Sequence, residues 1–144
     1  MEKQKLINLL RSYYSLVIDR DEAEKEIKEL EKAKAADIIK TAPRPEVGSR
    51  STGMTSDPTY TRTKELIETY DSQIGLQKLT YKRACEQLAL INKLLNKLDK
   101  LTRTVVFWHY CKRHPWDWVA RKIHYSSAQT RRIGNSAISF LVKK

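Results

Sequence analysis

The chain has 144 residues, of which 40% are hydrophobic and 31% charged, with only four glycines and four prolines. This composition excludes a collagen, an extended disordered chain and a turn-rich β-sandwich, and it favours a helical protein. The 28 Lys and Arg residues outnumber the 17 Asp and Glu residues, for a formal net charge of +11. A partner rich in phosphate is therefore the first to consider.

The sequence shows no signal for a membrane or a secretory route. Its longest apolar runs, such as residues 105–108, are far shorter than the roughly 18 residues of a membrane span. No apolar signal-peptide core follows the charged start of the chain. Two cysteines, Cys85 and Cys111, are too few for a disulfide framework. We therefore expect a cytoplasmic protein with no membrane partner.

The first predicted helix carries apolar or small residues at alternating steps of three and four, which is typical of a coiled-coil seam. Charged residues over 20–34 fill its other faces, several of them spaced to pair across one helical turn. These properties predict a mainly structural helix. The seam consists of Leu6, Leu9, Tyr13, Leu16, Ala23, Ile27 and Leu30.

A loop rich in Pro, Gly and Ser over 41–59 interrupts this pattern, because a helix cannot continue through so many breakers. The same period then returns from Tyr60 to Leu98. Two helices of equal length, each roughly 55 Å long, can fold back on each other as an antiparallel hairpin. We expect a second chain or the C-terminal domain to cover the apolar residues off the seam, which indicates a homo-oligomer. These residues are Tyr14, Ile18, Leu66, Leu79, Leu90 and Leu94.

The excess positive charge is concentrated at the end of the chain. Residues 101–144 contain nine Lys and Arg residues against one acid, Asp117, whereas residues 1–42 contain nine of each sign. A phosphate-binding surface is therefore expected in the last third. The sequence divides into an all-α hairpin domain over 1–100 and a small helical domain over 101–144.

Three short helices are predicted in this last part. The first, from about Leu101 to Lys112, is apolar on all sides, which indicates burial on two sides. The second starts with Pro115 in its first turn and Asp117 near its positive end. Its core face comprises Trp116, Val119, Ala120 and Ile123.

A break at His124-Tyr125 precedes the third helix, where Ser126 and Gln129 have the spacing of a capping box. A short helix, a tight turn and a second helix rich in Gln and Arg are typical of a helix-turn-helix whose second helix enters the major groove of DNA. The helical period places one set of residues inward: Thr130, Ile133, Gly134, Ala137 and Leu141.

The outward side of the third helix has the chemistry for DNA. Gln and Arg can each form two hydrogen bonds with a base edge, whereas Ser, Lys and Arg suit phosphate. The candidate base-reading residues are Ala128, Gln129, Arg131, Arg132 and Asn135. The candidate phosphate contacts are Arg113, Arg121, Lys122, Ser126, Ser127, Lys143 and Lys144.

Two other features allow more than one interpretation. A zinc site could be imagined among His109, Cys111, His114 and His124, but a structural site needs four ligands of suitable spacing. Trp118 points away from the predicted helix-turn-helix core, so it either packs on the hairpin or forms an exposed partner contact. No catalytic motif is present. We therefore expect neither an enzyme nor a bound metal or cofactor.

A pattern of apolar, aromatic and basic positions runs through the last third of the chain: residues 103–110, then Trp116, Val119-Ala120, Ile123, Tyr125-Ser126 and residues 130–133. This pattern resembles the region-four domain of bacterial sigma factors. It departs from that domain at Pro115, which replaces a capping Ser, and at Trp118, which replaces an acidic residue.

With the two coiled-coil helices and the loop phrase Gly53-Met54-Thr55-Ser56-Asp57-Pro58-Thr59-Tyr60, the whole chain resembles the RinA/ArpU-like phage transcriptional activators. The resemblance implies a phage-encoded activator of late packaging and structural genes. Such a protein would bind double-stranded promoter DNA and act with the host RNA polymerase in the bacterial cytoplasm.

Two other functions remain open from the sequence. The chain could be a coiled-coil factor that binds RNA polymerase without DNA, or the DNA-recognition subunit of a phage packaging machine. The outward Gln129, Arg131, Arg132 and Asn135 favour DNA binding over the first alternative, because an interface with protein alone would not require them. Ring assembly without an effect on transcription would distinguish the second.

Overall fold

The computed structural model describes residues 1–41 and 58–143, and these ranges are helical with no strand. Residues 42–57, nearly all of the predicted loop and most of its 53–60 phrase, lie outside the described residues, as does Lys144. The all-α class is as predicted. The helices are α1 (Lys3–Arg11), α2 (Tyr13–Thr41), α3 (Pro58–Leu95), α4 (Lys100–Val106), which continues as a π-helical turn over Phe107–Cys111, α5 (Trp116–Ile123) and α6 (Ser127–Val142).

The described chain forms two compact units. Unit 1 combines residues 1–20 with residues 83–144, and unit 2 comprises residues 21–82. This grouping differs from the predicted division at residue 100. The reason is that α1 and the last turns of α3 share one apolar core with the C-terminal helices.

The core of unit 1 is built from segments far apart in the sequence. Leu10 of α1, Ile91 of α3 and Ile138 of α6 are all completely buried. The C-terminal helices therefore do not complete a core by themselves. The buried members of this core are Leu6, Leu10, Ile91, Leu94, Leu95, Leu98, Val106, Tyr110, Cys111, Ala137, Ile138 and Leu141.

The predicted first helix is interrupted at Ser12. The Ser12 amide donates to the carbonyls of Asn8 and Leu9 at 3.0 and 3.2 Å, and its hydroxyl donates to the Leu9 carbonyl at 2.6 Å. Serine often competes in this way with regular helical bonding. The single first helix of the prediction is therefore observed as two helices, α1 and α2. Together they span Lys3–Thr41, 39 positions against the 38 residues of α3, so the predicted match in length holds.

In unit 2, side chains of α2 contact side chains of α3. Lys34 Nζ lies 2.6 Å from Asp71 Oδ1, and the Tyr70 hydroxyl donates a hydrogen bond to Asp37. The seam residue Ala23 is buried, and Ile27 and Leu30 are half-buried, as their spacing predicts. Both contacts join side chains that the loop separates in sequence.

The apolar residues off the predicted seam have different surroundings. Leu94 is buried in the core of unit 1, and Leu66 is half-buried. The others are exposed: Tyr14, Ile18, Leu79 and Leu90. Burial by the C-terminal helices therefore explains Leu94, while the exposed Tyr14 ring lies 5.6 Å from Lys112 Nζ.

The helix predicted over 101–112 is observed as α4 and its π-helical continuation. The side chain of Asp99 caps its start by accepting from the Thr102 amide at 3.4 Å. Val105 and Val106 are both completely buried although they are neighbours, which confirms burial on two sides. Pro115 is not in the first turn of α5 but caps it, and its carbonyl accepts from the Val119 amide at 3.1 Å.

The shared core predicts that α1 stabilises the C-terminal helices. Leu10→Ala should lower the free energy of unfolding of unit 1 by about 2–5 kcal/mol, because it leaves a cavity in a packed core. Leu90→Ala removes the same atoms from a side chain of unit 1 that is 36% exposed, and it should cost much less. Urea unfolding of the full chain, followed by the fluorescence of its tryptophans, all of which lie in unit 1, measures both. Equal costs would contradict a core role for α1.

Candidate nucleic-acid interface

A tight turn joins α5 to α6. His124 adopts the left-handed conformation, with φ 62° and ψ 38°, immediately after the last residue of α5. The Tyr125 amide then donates to the Ala120 carbonyl at 3.0 Å. This six-to-one bond with a left-handed residue is the Schellman arrangement that ends many helices. The break predicted at His124-Tyr125 is therefore confirmed.

The capping box predicted for α6 is also confirmed. Ser126 Oγ accepts from the Gln129 amide at 3.2 Å, and Gln129 Oε1 accepts from the Ser126 amide at 3.3 Å and from its hydroxyl at 3.1 Å. Gln129 is exposed, but its carboxamide oxygen is already engaged. To form two hydrogen bonds with a base, this side chain would have to release the cap.

The packing of α5 on α6 depends on a residue without a side chain. A Cβ atom added to Gly134 would lie within 2.8 Å of Trp116 Cζ3 and still closer to Cη2. The indole of Trp116 therefore rests directly on the backbone of α6. This contact sets how closely the two helices approach.

The two faces of α6 match the prediction except at Ile133, which is half-buried and lines a groove beside Arg132. Arg132 and Asn135 are exposed, as are Ala128, Gln129 and Arg131. The opposite face is apolar and packs against the rest of unit 1, and it also includes Ile138, which the sequence prediction missed. Its buried residues are Thr130, Gly134, Ala137, Ile138 and Leu141.

The consecutive residues Arg131 and Arg132 lie beside different neighbours. Arg132 lines a groove of about 450 Å³ together with Lys97 and Asp99, close to the start of α4. Arg131 instead acts electrostatically on His109. Burial lowers the pKa of His109, the His114 carbonyl raises it, and the positive charges of Arg11 and Arg131 lower it further. The two consecutive arginines therefore have different neighbours.

The predicted phosphate contacts are not gathered at one point. Ser127 Oγ donates to Asp117 Oδ1 at 2.6 Å, so its hydroxyl is engaged with the start of α5. Arg121 and Lys122 are exposed on α5, and Lys122 Nζ lies 5.4 Å from the centroid of the Trp118 ring. Lys143 caps the far end of α6, roughly 24 Å from the first residue of that helix.

Arg113 contacts the end of α1. Its Nη2 donates to the backbone carbonyl of Arg11 at 3.0 Å, a residue at the end of α1. Sequence reasoning missed Arg11, because the balanced charge of residues 1–42 indicates only a solvated helix. No local signal in the sequence places α1 near the C-terminal arginines.

Two stacked pairs of rings join the segment before α5 to α5 itself. His109 stacks on Trp116 with centroids 3.5 Å apart, and His114 stacks on Trp118 at 3.7 Å. Trp108 meets the same Trp118 edge-on at 5.2 Å. The predicted packing of Trp118 on the hairpin needs correction, because its ring contacts Trp108 and His114. Trp118 is half-buried, and its contact with a partner stays a prediction.

The geometry of the histidines and cysteine disfavours zinc. His109 Nδ1 lies 2.8 Å from the His114 carbonyl oxygen. Burial raises the pKa of the Cys111 thiol to about 12, whereas zinc binds the thiolate. Within the described ranges, no group of three or more His, Cys, Asp and Glu side chains could hold a metal ion.

The sequence profile of one protein family matches residues 2–143, and therefore every helix described above. The chain belongs to the family described as "Protein of unknown function (DUF722)". No curated protein and no solved structure matches it. Among the described helices of this DUF722 protein, none combines the length and apolar character needed to cross a bilayer.

The contact between α5 and α6 makes the glycine of α6 sensitive to substitution. Gly134→Ala should lower the free energy of unfolding of the DUF722 chain by about 1–3 kcal/mol, because the added methyl group forces Trp116 to move. Gly75→Ala in α3 is the matched control, since nothing lies within 4 Å of its added Cβ. This control should be neutral or stabilising by up to about 1 kcal/mol, because alanine favours a helix. Thermal unfolding of both variants tests the difference, and equal shifts would contradict the close approach of α5 and α6.

The lowered pKa of His109 predicts a pH-dependent stability. The folded state favours the neutral ring, so this stabilisation is present above the ordinary pKa of 6.5 and is lost as the pH falls below it. Wild type should therefore lose more stability between pH 7 and pH 5 than His109→Phe, which can stack on Trp116 but cannot take up a proton. The urea midpoints of wild type and His109→Phe at pH 7 and pH 5 measure this difference. Equal losses of stability in the two proteins would contradict a role of His109 in the pH dependence.

Proposed function

We propose that this DUF722 protein is a sequence-specific DNA-binding transcriptional regulator whose α5, turn and α6 form a helix-turn-helix. In this proposal, α6 enters the major groove of double-stranded DNA. The observation that carries it is the division of α6 into two faces. Thr130 and Ile138 anchor one face in unit 1, and Arg132 and Asn135 are exposed on the other.

The exposed face of α6 has the groups that distinguish base pairs. An arginine can donate two hydrogen bonds to guanine, and an asparagine can form two with adenine. Arg132 and Asn135 are therefore the main proposed base-reading residues, while the small Ala128 suits a thymine methyl group. Gln129 has a lesser role, because its oxygen is used by the helix cap.

Affinity for DNA would come from the surrounding positive charge. The exposed Arg121 and Lys122 on α5 supply contacts that do not depend on base sequence. The amides at the start of α6 add a partial positive charge that favours phosphate. Only one acid, Asp117, opposes nine Lys and Arg residues over 101–144.

The proposed regulator acts as an activator of phage late genes with the host RNA polymerase. The resemblance of residues 103–133 to sigma region four, and of the whole chain to the RinA/ArpU-like activators, supports this role. A bacterial cytoplasm is the compartment that this role requires.

The proposal includes a helical hairpin that mediates self-association. The contacts of Lys34 with Asp71 and of Tyr70 with Asp37 support pairing of α2 with α3. Leu76 and Leu79 are 63% and 44% exposed on α3, and a second chain would remove them from water. A dimer could read two half-sites about one helical turn of DNA apart, which would raise its specificity.

Two substitutions distinguish base reading from phosphate binding. Arg132→Ala should weaken binding to the preferred site by about 1–3 kcal/mol while changing binding to random duplex far less. Lys122→Ala should weaken binding to both duplexes by the same factor. It should also lower by about one the magnitude of the salt slope, which is the slope of the logarithm of the binding constant against the logarithm of the salt concentration. Mobility-shift titrations at two salt concentrations, with a site selected from a randomised duplex library, measure both effects.

The same titrations can overturn the proposal. Failure of the folded wild type to bind any duplex at low salt would exclude DNA binding and favour a partner that is a protein alone. Equal losses for both variants on both duplexes would contradict the separate roles of Arg132 and Lys122.

A further inference from the structure

A second groove on unit 1 gathers positive charge from distant parts of the chain. It has a volume of about 520 Å³ and is lined by Arg11, His109, Arg113, His114 and Pro115. Arg11 is the last residue of α1, whereas the other four belong to the end of the π-helical turn and the segment before α5. No carboxylate is among the lining residues.

The walls of this groove are held in place by hydrogen bonds and stacking. Arg113 adopts the left-handed conformation with φ 59°, and its Nη2 donates to the Arg11 carbonyl at 3.0 Å. His109 Nδ1 is within hydrogen-bond distance of the His114 carbonyl oxygen, at 2.8 Å. Its ring stacks on Trp116 with centroids 3.5 Å apart. The groove therefore exists before any ligand binds, which reduces the entropic cost of binding.

A third guanidinium group, that of Arg131 on α6, acts electrostatically on this groove. His109 lines the groove, and the charges of both Arg11 and Arg131 act on it. Trp116 connects this site to α6 directly, since the indole rests on Gly134, three residues after Arg131. Two guanidinium groups, from α1 and from the segment before α5, thus line the groove, and the charge of Arg131 on α6 acts on one of its histidines.

An anion with several acceptor oxygens is the ligand that such a site requires. Guanidinium groups bind phosphate oxygens in pairs and are weakly hydrated, so they suit this contact better than lysine does. In a DNA complex, phosphate contacts beside the recognition helix fix its register without reading sequence. The position of this groove next to α6 fits that role.

We propose that Arg11, Arg113 and Arg131 form a phosphate-binding groove for the backbone of double-stranded DNA. This inference rests on the proposed function and extends it in two ways. Arg131 becomes a phosphate contact rather than a base-reading residue. Helix α1, which the sequence predicts to be purely structural, becomes part of the DNA-binding surface.

The test compares Arg11→Ala with Lys5→Ala in the full chain. Both variants remove one positive charge from an exposed side chain of α1, but only Arg11 lines the groove. Arg11→Ala should weaken binding to selected and random duplexes by the same factor and lower the salt slope by about one. Lys5→Ala should leave the slope unchanged. Arg131→Ala should behave as Arg11→Ala does. The specificity ratio, which is the affinity for the selected duplex divided by that for random duplex, should stay the same.

A conservative variant separates the site from the fold. Arg11→Lys keeps the charge but loses the paired donors, so it should keep the salt slope while binding both duplexes more weakly than wild type. Urea midpoints of all variants show whether unit 1 remains folded. The backbone carbonyl that accepts from Arg113 is unchanged in each of them.

The outcomes distinguish this inference from the proposed function. If wild type binds DNA and Arg132→Ala loses sequence preference, but Arg11→Ala titrates like Lys5→Ala, the groove is not a phosphate site and the inference alone fails. If Arg131→Ala changes the specificity ratio, its phosphate role is wrong. If wild type binds no duplex, the proposed function fails and this inference fails with it.

Discussion

The burial of α6 against α1 and the end of α3 is the constraint on which the rest of unit 1 depends. Leu10, Ile91 and Ile138 exclude water completely, although they come from the start, the middle and the end of the chain. Burying one such side chain contributes about 1.5–3 kcal/mol. Because one face of α6 is held in this way, its polar face has one fixed direction. A recognition helix needs such a direction if its side chains are to meet base edges in register.

The same core explains why the candidate interface is wider than the C-terminal helices. Packing α1 on α6 brings Arg11 to a groove that also contains Arg113, and the two residues are 102 positions apart. The charge of Arg131 acts on His109 of this groove, whereas Arg132 lines a different groove with Lys97 and Asp99. The proposed phosphate contacts therefore include residues outside the C-terminal helices.

The contact between Trp116 and Gly134 links the position of α5 to the rest of the interface. The same indole stacks on His109, whose lowered pKa reflects burial together with two neighbouring cations. A change at any of these residues should therefore affect both the geometry of the turn and the cationic groove. His114 stacks on Trp118 in the same way, and Lys122 Nζ lies over the Trp118 ring. Aromatic packing thus holds the charged side chains at fixed positions.

Local sequence patterns correctly predicted the helical class, the break at His124-Tyr125, the capping box of Ser126 with Gln129 and most residues of the two faces of α6. These are local properties, because helical periodicity and capping depend on residues within a few positions of one another. Only the tertiary structure shows which segments share a core, where Trp118 packs and that the charge of Arg131 acts on His109. It also brought Arg11 to Arg113. Such contacts depend on packing between distant segments, and the hydrophobic pattern of each helix indicates that a face is buried but not which partner covers it.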